Sequence, residues 1–319
     1  RPRLDVQHPE GHVMSLVVDV LAGGVRGGTS IMYAGLGETV SERAGVINLG
    51  TEGAMLVGAL AGYAVAAETG SPWIGALGGA AAGGLLAAIH ALLTVVRRAN
   101  QFASGLTLLF LALGVTSLYG ADYVGESITP FTAWDVPVLS DIPWIGEIFF
   151  RNDPLVYVSY VMVPLIWFVL FRTRTGLLIR TAGERADSLT VNGYSIVRIR
   201  FLAVTAGGAL AGLGGAHLSI AYGNAWFENM VVGRGFIAVA LVIFASWNPL
   251  RVMAGAYLFG AALALAPALQ ARGYGVNQFA LDVIPFVLTL VVLAVLGKRT
   301  LAAAPDELKR VFENTAAKT

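Results

Sequence analysis

Three acids, one arginine and one asparagine fall within the seventeen residues Gly37-Glu38-Thr39-Val40-Ser41-Glu42-Arg43-Ala44-Gly45-Val46-Ile47-Asn48-Leu49-Gly50-Thr51-Glu52-Gly53, between two strongly apolar stretches. Groups of these types, this close together, can hold an interior ion pair or hydrogen-bond a polar solute. As a solvated loop the segment would be uninformative. However, Ala44 to Leu49 is nearly apolar, and the next apolar run starts at Ala54. A broken or re-entrant segment accounts for both features, because irregular backbone at membrane depth is tolerated where protein buries it or where it lines a cavity. In that setting Glu42 and Arg43 are expected to pair within the protein, and Asn48 and Glu52 to face a polar pathway.

Two further groups are candidates for that pathway. Asn100-Gln101-Phe102-Ala103-Ser104-Gly105 sets uncharged amides beside an aromatic ring, which suits a neutral ring ligand and equally suits a helix cap. Arg234, in Gly233-Arg234-Gly235-Phe236, opens another apolar run. There it either snorkels to headgroups or turns inward with Phe236 where a solute enters.

Catalytic and metal chemistry find no residues to carry them. Cys is absent, and His8, His12, His90 and His217 lack metal-ligand spacing. His90 and His217 fall inside apolar runs, where packed, hydrogen-bonded side chains are expected. No phosphate loop exists, since Gly297-Lys298-Arg299-Thr300 lacks its leading glycine. No cofactor is therefore expected in this chain; the net charge of +1 says nothing about nucleic acid, and no nucleic-acid partner is expected.

The elements that must position these groups are helices in lipid. Hydrophobic residues make up 56% and charged residues 13% of the chain, half the charge a water-soluble globule carries. The chain reads as one all-α, polytopic transmembrane bundle over 1–319, with nine spans near 13–36, 54–69, 72–96, 102–120, 154–172, 199–221, 232–247, 250–269 and 280–297. Arg26 and the pairs Gly23-Gly24 and Gly27-Gly28 predict that the first is split into two shorter pieces. Gly75, Gly79 and Gly83, and Gly208 and Gly212, repeat at spacing four and predict close helix packing. One set of connections carries fifteen Lys and Arg against four in the other, which assigns the first set to the cytoplasm. Residues 121–153, with six acids and one base, then lie outside, and 173–198 and the tail 298–319 lie inside.

The inner loop holds Gly183-Glu184-Arg185-Ala186-Asp187-Ser188-Leu189-Thr190-Val191-Asn192-Gly193. Glu184 to Val191 predicts a short helix stopped by Asn192-Gly193, the shape of a segment that docks into a soluble partner. A secondary transporter or channel remains open on these grounds, with His90, His217 and Arg26 as its few titratable or charged interior groups. A membrane enzyme lacks a nucleophile–base pair.

The string Glu42-Arg43-Ala44-Gly45-Val46-Ile47-Asn48-Leu49-Gly50-Thr51-Glu52-Gly53, followed in order by Asn100–Gly105, the Gly183-Glu184 loop, Gly233-Arg234-Gly235-Phe236-Ile237-Ala238 and Trp247-Asn248-Pro249, resembles permease subunits of ribose and branched-chain amino-acid type ABC importers. The nucleoside and simple-sugar branch is the most similar, in its shorter permease. The resemblance implies a vitamin B12 importer-like fold in a bacterial inner membrane. It also implies a second, longer permease, cytoplasmic ATPase subunits holding ATP and magnesium, and an external or lipid-anchored binding protein. It makes Glu184 to Val191 the coupling helix and 41–53 the broken helix. The Glu-Ala-Ala-x3-Gly coupling pattern of other importers is not met, because Arg185 follows Glu184.

Overall fold

A computed structural model describes residues 9–275 and, with interruptions, 277–294 and 303–310. The ninth expected span and the tail therefore lie partly outside the described residues.

Helix α1 runs unbroken over Pro9–Arg43. The expected split at the glycine pairs does not occur. Those glycines are where α1 packs against another helix: a Cβ at Gly23 would lie 2.8 Å from the Ala264 Cβ, and one at Gly24 2.9 Å from the Ala261 Cα. Arg26 is held by Asn152 Oδ1 and the Arg151 carbonyl, each at 3.2 Å. After a seven-residue irregular stretch come α2 (Thr51–Thr69), α3 (Pro72–Ala91), which ends in a π-type turn, and α4 (Gln101–Gly120).

Residues 121–153 hold an antiparallel pair, β1 (Trp134–Asp135) and β2 (Arg151–Asn152), with α5 (Ile145–Phe149) between them. This small ladder departs from the all-helical expectation. Beyond it lie α6 (Pro154–Arg172), α7 (Arg174–Glu184), α8 (Ala186–Val191), α9 (Ile196–His217) with its own π-type turn, α10 (Arg234–Phe244) and α11 (Pro249–Ala271).

Local chemistry sets many of these starts. Ser71, Asp153 and Asn248 each precede a proline and cap α3, α6 and α11. Asp153 Oδ1 accepts from the Leu155 and Val156 amides at 2.9 and 3.2 Å, and proline at the first helical position has no amide to leave unpaired. Among the described residues, five helices are long and apolar enough to cross a membrane: Pro72–Val96, Gln101–Tyr123, Pro154–Arg172, Ile196–Tyr222 and Pro249–Ala271. α10 is not. Its eleven residues rise about 16 Å, half a hydrocarbon core of roughly 30 Å, so the expected span at 232–247 is corrected to a half-helix.

α1, α2, α3 and α9 form the packed centre, with α11 against the outer side of α1. The glycine stripes operate as their spacing suggests. A Cβ at Gly79 would lie 2.6 Å from both the Gly58 carbonyl oxygen and the Ala216 Cβ, and one at Gly83 2.5 Å from the Gly208 carbonyl oxygen. Gly79→Ala should therefore cost about 1–3 kcal/mol through overpacking. Gly114→Ala, with nothing within 4 Å, should be neutral or stabilising. Thermal inactivation of the two variants in detergent tests the contrast.

Candidate functional site

Residues 44–50 turn the chain between α1 and α2 inside the protein. Gly45 adopts φ +86°, which a side chain would strain, and this ends α1. Such a turn leaves backbone groups that water cannot reach, so side chains must satisfy them. Glu38, 2% exposed, accepts from the Asn48 amide at 2.7 Å and the Thr51 hydroxyl at 2.9 Å. Asn48 Oδ1 accepts from the Gly50 amide and Gln101 Oε1 from the Ile47 amide, both at 2.9 Å. His90 Nε2 lies 3.0 Å from the Ile47 carbonyl and Nδ1 3.1 Å from Ser104 Oγ. A carbonyl only accepts, so Nε2 carries the proton and Nδ1 accepts from the serine.

A second clamp joins distant segments. Glu52 accepts from the Gly233 amide at 2.7 Å and the Gly235 amide at 2.6 Å. A carboxylate thus caps α10 from the first turn of α2, where orphaned amides and the helix dipole both favour it. Glu42 and Arg43 do not pair with each other, contrary to expectation. Both instead bond the 246–247 segment: Glu42 accepts from Trp247 Nε1, while Arg43 donates to the Ser246 and Trp247 carbonyls. Arg43 also reaches Glu184 at 3.8 Å and stacks on Phe171.

Around the α10 start lies a cavity of about 400 Å³, lined by Tyr222, Phe227, Met230, Arg234, Leu263 and Gln270 among others. Arg234 is turned inward, donating to the Met230 and Val231 carbonyls at 3.2 and 3.1 Å. Its Nε has no hydrogen-bond partner among the described residues. Phe236 is exposed and does not line this cavity.

The sequence-predicted pathway residues are therefore divided by the fold. Arg234 lines the cavity; Glu52 holds the backbone beside it. Asn48, Gln101 and Ser104 serve the 44–50 turn. Asn100 caps α4 through the Ala103 amide at 3.0 Å, and Phe102 packs on the core. Glu38, His90 and Trp247 complete these clusters. Glu38 was visible as one of three clustered acids, whereas nothing local marks Trp247 as a partner.

In the loop 173–198, Glu184 ends α7 and Arg185 breaks the helix, so the predicted helix Glu184–Val191 is shortened to Ala186–Val191. The cause lies in Arg185, which leaves helical conformation at φ −144° and ψ 69°. Asn192 and Gly193 stop α8 as predicted, with Gly193 at φ +79°. Leu189 is buried, while Asp187 and Val191 are exposed. Gly183 is wedged against the turn, where a Cβ would lie 3.1 Å from the Gly45 amide nitrogen. Ala186 starts α8.

A lipid-embedded helical bundle with a cavity at an internal half-helix and a short exposed helix at one end defines a polytopic transport protein. The chain belongs to the family described as branched-chain amino acid transport system / permease component, whose model matches residues 20–296, and it is an ABC transporter permease subunit. It is 45% identical over 273 residues to the permease protein TsgC13 of Haloferax volcanii, provisionally assigned to glucose, covering 84% of this chain and 82% of that one. It is 34% identical to the nucleoside ABC transporter permease protein NupC of Lactococcus lactis, covering 87% and 92%. It is 32% identical to the guanosine ABC transporter permease protein NupQ of Bacillus subtilis, covering 82% and 87%. The last two organisms each hold a second, more distant permease relative, NupB and NupP. No solved structure matches the chain.

Replacing Glu52 with alanine leaves two buried amides without their acceptor and should destabilise the protein by about 3 kcal/mol. Glu52→Gln retains one acceptor oxygen and should lose less. Detergent melting curves of the pair should keep that order.

Proposed function

We propose that this subunit forms half of the membrane pathway of an importer for a small neutral polar solute, a nucleoside or nucleobase, or otherwise a simple sugar. The cavity at Arg234 is the observation that carries this reading. Its walls are mostly apolar and aromatic, with a few polar groups (a guanidinium, a phenol and an amide), the pattern of small-molecule sites, and its volume lies in their usual range. Glu52 sits beside Arg234 and offsets its charge, so a solute need not be an anion. The relatives' names include both nucleosides and glucose, in keeping with either ligand class.

In this reading the chain crosses a cytoplasmic membrane nine times in a vitamin B12 importer-like arrangement, residues 223–233 completing the crossing that the half-helix α10 makes only in part, and it hydrolyses no ATP itself. It pairs with a second, longer permease. ATPase subunits holding ATP and magnesium dock at α8, where Leu189 anchors the helix and Val191 is 88% exposed. A binding protein delivers solute from outside, guided by the acidic segment 121–153, whose Asp135 and Asp141 are exposed.

Reconstitution of the four components in liposomes tests this. Uptake of labelled guanosine or glucose should require ATP and the binding protein. Arg234→Ala should lower uptake roughly tenfold, the worth of one lost charge-assisted hydrogen bond, without preventing assembly. Uptake driven by a proton gradient with no ATPase present would refute the reading.

A further inference from the structure

Arg200, on the second turn of α9, belongs to none of the groups assigned above, yet it joins three separate segments. Its Nε donates to the Ala44 carbonyl at 3.0 Å, and its Nη2 donates to the Ala182 carbonyl at 2.7 Å. The same Nη2 lies 3.1 Å from Glu307 Oε2 in the C-terminal segment, where Leu308 is fully buried. Around it the segments are in contact. A Cβ at Gly45 would lie 3.0 Å from the Glu307 Cβ, 3.2 Å from the Gly183 Cα and 3.4 Å from Arg200 Nη2. There is no slack here for α7 to move and the turn to stay.

We infer that Arg200 is a positioning residue for transport: it carries displacement of the α7–α8 loop into the 44–50 turn, and so to the cavity. The inference rests on the proposed reading that α8 receives work from an ATPase. The remaining steps of the path are the two clamps already described. The turn is bonded to Glu38 through Asn48, Glu38 holds Thr51 at the start of α2, and the adjacent Glu52 holds Gly233 and Gly235 on either side of Arg234. At every step the partner is a backbone group or a buried side chain, so a shift of a few tenths of an ångström is transmitted or a hydrogen bond is lost. An arginine suits the junction because its fork is rigid and gives two carbonyls separate donors at a fixed separation. A lysine presents a single flexible ammonium. Arg43 supplies a parallel but looser contact, 3.8 Å from the half-exposed Glu184.

The experiment uses the complete importer in proteoliposomes. The chain has no cysteine, so Val191→Cys on α8 and Leu49→Cys in the turn each give a single nitroxide site in this chain, assembled with partner subunits whose cysteines are replaced. In the parent background, both labels should respond to ATP and transport should persist. With Arg200→Gln, the Val191 label should still respond and ATP hydrolysis should continue. The Leu49 label should stop responding, and uptake per ATP hydrolysed should fall roughly tenfold, the worth of a charge-assisted hydrogen bond. Arg200→Lys should recover part of that ratio, and Glu307→Gln, which spares both carbonyl contacts, should stay within about twofold of the parent. Should Arg200→Gln fail to assemble, the lysine variant and its Leu49 label carry the same test. An unchanged ratio with a Leu49 label that still follows ATP overturns the inference and leaves the proposed function standing. A Val191 label that ignores ATP in the parent overturns both.

Discussion

Every backbone amide inside lipid must find a partner within the protein, and this fold meets that demand at its irregular points with buried carboxylates. Glu38 serves the 44–50 turn and Glu52 serves the start of α10. Both interrupt what would otherwise be continuous helix, and both do so away from water. A helix start leaves four amides unpaired, each costly to bury. A carboxylate can accept from two of them and is itself stabilised by the positive end of the dipole. The arrangement therefore resolves two costs at once, an unpaired donor and an unpaired charge.

With those two points fixed, the geometry around the cavity follows. α10 is too short to cross by itself, so residues 223–233 must bring the chain to depth before it starts. Positive φ at Asn224, Asn229, Val232 and Gly233 gives that segment its turns. The segment encloses the cavity together with the π-type end of α9 and the C-terminal half of α11. Because Glu52 occupies the amides at the α10 start, the helix end does not itself offer an anion site. Arg234, which lines the cavity, contributes the donors instead, and the carboxylate beside it moderates its charge. A site of this kind suits neutral molecules with acceptors better than it suits anions.

How much of this could be read in advance depended on whether the signal was local. The apolar runs expected to begin near 72, 154 and 250 start as helices at Pro72, Pro154 and Pro249, each behind a capping side chain that hydropathy alone did not point to. Glycines at spacing four announce close packing, and α2, α3 and α9 meet on them. The pairs in α1 announced the same thing but were read as breaks, because a packing glycine and a breaking glycine differ only in what faces them. Hydropathy could not tell the half-helix α10 from a full span, since an apolar run gives no indication of depth. The acids at 38, 42 and 52 stood out as a cluster. Glu38 finds its partners nearby, in Asn48 and Thr51, but those of Glu42 and Glu52, namely Trp247, Gly233 and Gly235, lie some two hundred residues on, and no local pattern joins the two sets.

That same non-locality bears on how such a permease can be moved. Apolar contacts in the bundle are numerous and individually small, so a helix can slide against glycine faces with little penalty at intermediate positions. Directional contacts behave differently, because a buried hydrogen bond is either made or lost. Arg200, Glu38 and Glu52 form a short series of such contacts running from the end of α7 to the cavity, set in a bundle otherwise packed by small residues. A coupling free energy of 1–3 kcal/mol is typical between linked sites, about the worth of one or two of these bonds. Few bonds are therefore needed, provided that each joins elements able to move as units. The glycine-lined core supplies the freedom for that motion, and the buried acids and the arginine fix which parts move together.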